Sequence, residues 1–162
     1  MLYNELGKTG LKVSRLGFGT MRLPTINSNA DIDTQEASKM LEYGIENGIN
    51  LIDTAYPYHS KTLEGSGNSE RFVGEFLAEN NYRNEVLIST KSPSWAIDSK
   101  DDFQMYLDEQ LEKLQTDYID IYLLHSLTVP DWFKVRDFGV LDFLDDCLSS
   151  GVVKHVGFSS HI

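Results

Sequence analysis

The chain has 162 residues, 41% of them hydrophobic, enough at this length to bury one core of ordinary domain size. Its 25 Asp and Glu against 14 Lys and Arg give a net charge of -11, which repels phosphate backbones and anionic lipid, so neither nucleic acid nor a membrane is an expected partner. The single cysteine, Cys147, excludes an internal disulfide; Met1 to Lys12 lacks the basic and apolar blocks of a secretory signal, and no run could span a bilayer, so a cytoplasmic protein is expected.

Leu2 to Leu6 and Leu11 to Val13 are short extended runs around Gly7-Lys8-Thr9-Gly10, the pattern of a β-hairpin that plugs or covers something. Arg15 to Thr20 is expected to be a strand whose glycines allow close approach of another backbone or a ligand. Ala37, Met40, Leu41, Gly44 and Ile45 form one face of a helix, with Asp33 or Thr34 as N-cap and Gly48 beyond its end. Asn50 to Asp53 is an apolar strand. Asn68 or Ser69 caps a second helix carrying Phe72, Val73, Phe76 and Leu77.

Glu85 to Thr90 is the next strand, and Ser99 with Asp102 opens a third helix with the stripe Phe103, Tyr106, Leu107, Leu111 and Leu114. Tyr118 to Leu124 is a strand, Val140, Leu141, Leu144 and Leu148 mark a fourth helix stopped by Gly151, and Lys154 to Phe158 begins a fifth strand. Strand and helix alternating at this spacing imply right-handed crossovers and a parallel sheet, either doubly wound or closed as a barrel. Both put ligands beyond the carboxyl ends of the strands, but a barrel draws its chemistry from several adjacent strand ends.

Asp53, Lys91 and His125 are single polar residues ending three successive apolar runs, and Tyr58 follows Asp53 in the next loop. If His125 points inward, so do Leu123, Ile121 and Ile119; if Lys91 does, so do Ser89 and Leu87. Taken singly each has a structural role open to it: Asp53 as a cap, Lys91 at the core rim, Tyr58 packing a loop, His125 a satisfied core histidine. Their conjunction at one rim favours chemistry. A lysine ammonium lowers the pKa of a nearby phenol, a carboxylate keeps that lysine charged and oriented, and a histidine donates to a carbonyl oxygen. Together they make a general acid for a forming alkoxide.

Leu16-Gly17-Phe18-Gly19-Thr20-Met21, Gly48 to Ala55 with Tyr58, Gly67-Asn68-Ser69-Glu70, Ser89-Thr90-Lys91 and Tyr118 to His125 carry, in that order, a resemblance to the aldo-keto reductases. The resemblance implies a TIM barrel whose bottom is closed by the hairpin, NADPH as the usual hydride donor with NADH as the other choice, and a small carbonyl or alcohol substrate. It implies a tetrad in which Tyr58 is the acid, supported by Lys91, Asp53 and His125. Cofactor contacts carry over onto Gly19, Thr20, Met21, Asp53, Ser159 and Ser160. Many members have Ser-Asn where this chain has Ser159-Ser160-His161, a variant resembling a branch whose longer members carry an iron-sulfur segment; no cysteine cluster exists here and none is assigned.

The fold expected is therefore α/β: a partial TIM (β/α)8 barrel of about five units over 14–162, preceded by the hairpin over 1–13, as one domain. A closed barrel needs eight strands and about 250 residues, so sheet edges are left open, and a truncated half-barrel that associates with itself or with a complementary chain is the alternative. Gly65-Ser66-Gly67 is expected to be a flexible loop and not a phosphate cradle, because Glu70 would repel an anion. Trp95 and Trp132 are candidate walls of a substrate pocket, or loop packing.

Overall fold

The structure, a computed structural model, describes residues 1–62 and 65–161. β1 (Tyr3–Glu5) and β2 (Lys12–Ser14) pair antiparallel, with Tyr3 opposite Ser14. The Tyr3 hydroxyl donates to the Gly48 carbonyl, and the Asn50 side chain accepts from the Ser14 N–H and donates to the Lys12 carbonyl. These bonds seat the hairpin just before β4 (Leu51–Asp53), at the amino-terminal end of the sheet, so it covers the end opposite the candidate residues.

β3 (Phe18–Gly19), β4, β5 (Leu87–Ser92), β6 (Ile119–Leu124) and β7 (Val153–Phe158) form one parallel sheet in strict chain order, connected by α1 (Thr34–Glu46), α2 (Ser69–Glu79), α3 (Asp101–Leu114), α4 (Val129–Asp137) and α5 (Val140–Ser150). A doubly wound sheet reverses its order at a switch point, whereas an unreversed order is that of a barrel wall. The sheet is accordingly five successive strands of a (β/α) barrel wall. No helix among the described residues is long and apolar enough to cross a membrane.

Local chemistry sets the helix ends. The Asp33 carboxylate caps α1 by accepting from the Glu36 N–H, and the Asp102 carboxylate accepts from the Asp98 and Ser99 N–H groups at the start of α3. Ile52, Ile88 and Tyr122 are fully buried in the core between sheet and helices. Leu51, Leu87, Ile121 and Leu123, on the other face with Asp53 and Lys91, are half-buried. Ile119 departs from that alternation and lies in the helix-side core with its register partner Val153. The reason lies next door: the Asp120 carboxylate accepts the Ile88 N–H and pairs with Arg83 at 3.0 Å, so its side chain lies between strands and interrupts the alternation.

Several expectations need correction. α4 was not foreseen, because it buries only Val135 and carries little apolar periodicity, although Thr128 caps it and Pro130 occupies its first turn. β3 spans two residues, not six, since its partner β4 offers only three. Met40 in α1 and Leu141 and Leu148 in α5 are exposed: these are the first and last helices, each lacking an outer neighbour among the described residues. Val156 and Phe158 on β7 are exposed for the same reason, no helix after β7 lying among the described residues. Cys147 is a core residue, its thiol pushed up to about 11 by burial.

Gly74 lies where α2 crosses α3, and a Cβ there would run into the backbone of Lys113 and Leu114. Gly74→Ala is expected to lower stability by about 1–3 kcal/mol through overpacking, read as a fall in the urea midpoint.

Candidate active site

Parallel register alone brings three of the candidate residues to one edge. β4 ends on Asp53, which pairs with Ser89; β5 runs on to Lys91, which pairs with Leu123; and His125 follows β6, its N–H donating to the Ser92 carbonyl. Lys91 Nζ, its side chain only 7% exposed, lies 2.7 Å from Asp53 Oδ2, 2.8 Å from the Thr54 carbonyl and 3.1 Å from the Tyr58 hydroxyl. Ser89 Oγ donates to Asp53 Oδ1 at 3.0 Å, so both carboxylate oxygens are engaged.

Tyr58 sits on the loop between β4 and α2, and backbone contacts hold that loop. The Ser69 N–H donates to the Tyr58 carbonyl, the Asn68 N–H to the His59 carbonyl and the Gly67 N–H to the Tyr56 carbonyl. Gly67 lies so close to the Tyr58 carbonyl that a Cβ would not fit, which replaces the expected flexible loop with a tight packing point at this glycine. Its amide is committed within the chain, in keeping with the rejection of a phosphate cradle.

His59 adopts a left-handed backbone with φ of 60° and is buried. Its Nε2 accepts from the Leu23 N–H, so Nδ1 carries the proton and donates to the Asn29 carbonyl at 2.6 Å. The residue beside Tyr58 thus ties down the loop between β3 and α1.

His125 meets the Tyr58 ring edge-on at 5.9 Å between centroids and the Trp95 ring at 5.2 Å. Burial, reinforced by the Lys91 ammonium, brings its pKa down to about 4, so the imidazole is neutral at physiological pH; its Nδ1 is buried without a partner among the described residues. Tyr58, Trp95 and His125 line an open cleft of about 760 Å³ with Met21, Arg22 and Lys61. Trp132 belongs to α4 and packs against the helix-side core, so of the two tryptophans only Trp95 walls the cleft.

The other predicted contact residues divide by what their groups already do. Gly19 is exposed at the rim with open space where a side chain would stand, and Met21 is exposed on the cleft wall. Thr20 is fully buried: its N–H and hydroxyl both donate to the Asp53 carbonyl, and its hydroxyl accepts from Ser69. It holds the strand end instead of facing the cleft. Ser159 Oγ accepts from the Ser126 N–H and Ser160 Oγ donates to the Leu127 carbonyl, so both hydroxyls fasten the loop after β6.

Sequence reasoning missed Ser89 and Thr54 as partners of Asp53 and Lys91, and His59 as an anchor. Ser89 shares the strand parity of Lys91, a signal that was there to use; the partners of His59 lie 30 and 36 positions away in sequence and carried no local signal.

The unfolded chain protonates His125 near its ordinary pKa of about 6.5, while the folded chain resists until about 4. The neutral imidazole therefore contributes stability above about 6.5 that is lost as pH falls through this window. His125→Phe should flatten that part of the urea-midpoint profile, and the wild-type imidazole nitrogen shifts should remain those of a neutral ring at pH 5.5; a titration centred near 6.5 would contradict the assignment.

The sequence profile of the Aldo/keto reductase family matches residues 15–161. "Protein tas" of Escherichia coli (strain K12) is 36% identical, aligned over 99% of this chain and 52% of its own length, and the 6-dehydroglucose reductase of Novosphingobium aromaticivorans is 32% identical over 98% and 51%. Among solved structures, the aldo-keto reductase AKR11C1 from Bacillus halodurans in its holo form superposes with a TM-score of 0.77 at 31% identity, covering 99% of this chain and 50% of that one. The chain spans about half the length of these relatives. With the profile, the relatives and the unreversed parallel wall in agreement, the chain belongs to the aldo/keto reductase family.

Proposed function

We propose that this chain carries the proton-transfer machinery of a carbonyl reductase, which reduces an aldehyde or ketone, or oxidises the alcohol, by hydride transfer with NADPH. The observation that supports it is the Lys91 ammonium bridging Asp53 Oδ2 and the Tyr58 hydroxyl beside an open cleft. In this reading Tyr58 gives its proton to the substrate oxygen as the carbonyl becomes an alkoxide, and Lys91 stabilises the phenolate left behind. Asp53 keeps Lys91 charged and oriented. His125, neutral, donates its one N–H to the carbonyl oxygen and fixes its position.

A bound nicotinamide supplies the hydride. Gly19, in register with Asp53 and with open space where a side chain would stand, Met21 on the cleft wall, and Ser159 and Ser160 after β7 are the residues that would hold it.

The test mixes the purified chain with NADPH and a panel of aldehydes and follows nicotinamide absorbance. This half-length chain is expected to give only slow turnover. Tyr58→Phe should reduce it by a further factor of about 10²–10⁴, and Lys91→Met by a similar factor. Turnover that persists unchanged in Tyr58→Phe would falsify the assignment of the acid.

A further inference from the structure

Behind Lys91, on the helix side of the sheet, lies a polar cluster that the proposed chemistry does not use. Glu70 of α2 and Gln110 of α3 are both fully buried. Gln110 Nε2 lies 2.5 Å from Glu70 Oε1, 3.2 Å from Thr90 Oγ1 and 3.2 Å from the Lys91 carbonyl, while Gln110 Oε1 accepts from the Tyr122 hydroxyl at 2.8 Å. Glu70 also accepts from Thr90 Oγ1 at 2.6 Å and pairs with Lys113 at 3.3 Å. Ionised Glu70 only accepts, so the amide nitrogen of Gln110 must face it. The two amide protons then go to the two neighbours that only accept, Glu70 and the Lys91 carbonyl.

That carbonyl is in an unusual place. The odd-numbered residues of β5 bond toward β4, the Leu87 N–H to Asn50 and the Ser89 carbonyl to the Thr54 N–H, while the Ser92 carbonyl bonds to His125 on the other side. Lys91 shares the odd parity, but the last β4 partner is Asp53, opposite Ser89. The strand carrying Lys91 therefore runs three residues past its last β4 pair, Thr90 to Ser92, and Gln110 supplies a donor where the ladder toward β4 has ended. Lys113 continues the cluster to Glu109 at 3.0 Å, which accepts from Ser66 and Tyr56 on the loop that bears Tyr58.

The geometry points to Gln110, oriented by Glu70, as a positioning residue for Lys91: its donated hydrogen bond fixes the edge of β5 that β4 no longer covers, so that Nζ stands between Asp53 and Tyr58. The inference takes from the proposed function only the requirement that Lys91 be held there. Its test needs neither cofactor nor turnover, so failure of the reductase reading leaves the result unaffected.

The purified chain is acylated with acetic anhydride under single-hit conditions at mildly alkaline pH, and modification of Lys91 is quantified by peptide mass spectrometry relative to exposed Lys39. Alkylation of buried Cys147, followed in parallel, reports opening of the fold as a whole. Gln110→Leu removes the donor, and Gln110→Glu keeps the side chain's shape while turning the donor into an acceptor beside Glu70. Both are expected to raise Lys91 labelling about three- to tenfold with Cys147 protection unchanged, as loss of one buried hydrogen bond implies. Lys91 labelling that stays at the wild-type level in both variants, or that rises only in step with Cys147, overturns the proposal.

Discussion

A lysine ammonium taken almost wholly out of water must be given oxygen atoms in its place, since an unpaired buried charge is strongly destabilising. Lys91 receives three: a carboxylate from the end of β4, the carbonyl of the next residue and the hydroxyl of Tyr58. All three come from β4 and the loop after it. Placing that ammonium thus constrains the β4–β5 register, the path of the chain at Tyr58 and the packing of Gly67 beneath it, and backbone bonds tie Tyr56, Tyr58 and His59 to Gly67, Ser69 and Asn68.

The two faces of the sheet divide the work. On the helix side, Ile52, Ile88, Leu77, Phe103 and Leu107 make an apolar core in which right-handed crossovers place every helix. The opposite face is half-buried and carries the polar groups near its carboxyl edge. The Glu70–Lys113 pair is an exception, a charged pair inside the helix-side core. Such a pair is weak support for stability by itself, and its partners Gln110 and Thr90 tie it to the strand that ends in Lys91.

The fold was legible where periodicity reflects burial. α1 and α2 show their apolar stripes because each covers the sheet, and the short apolar runs of β4 to β7 end in the polar residues that the barrel brings together. Legibility failed where burial and sequence pattern separate. α4 buries one residue and so leaves little stripe to see. Met40, Leu141 and Leu148 keep their places in apolar stripes, yet nothing among the described residues covers them. Ile119 follows the alternation in sequence and leaves it in space, because the Asp120 side chain takes a backbone amide of the neighbouring strand.

The order of the chain determined a great deal by itself: the alternation of units, the succession of Asp53, Lys91 and His125 at strand ends, and the presence of Tyr58 one loop away. These are local properties, set by spacing and by the period of each element. Distances between residues far apart in sequence were decided by the tertiary structure. Only the folded arrangement of strands, loops and helices could put Lys91 Nζ against Asp53 and Tyr58, bury His125 until its imidazole stays neutral, turn Thr20, Ser159 and Ser160 to fastening backbone, and bring Gln110 to the carbonyl of Lys91. The reason is that hydrogen bonding and desolvation act between neighbours in space, and a sequence lists neighbours only along the chain.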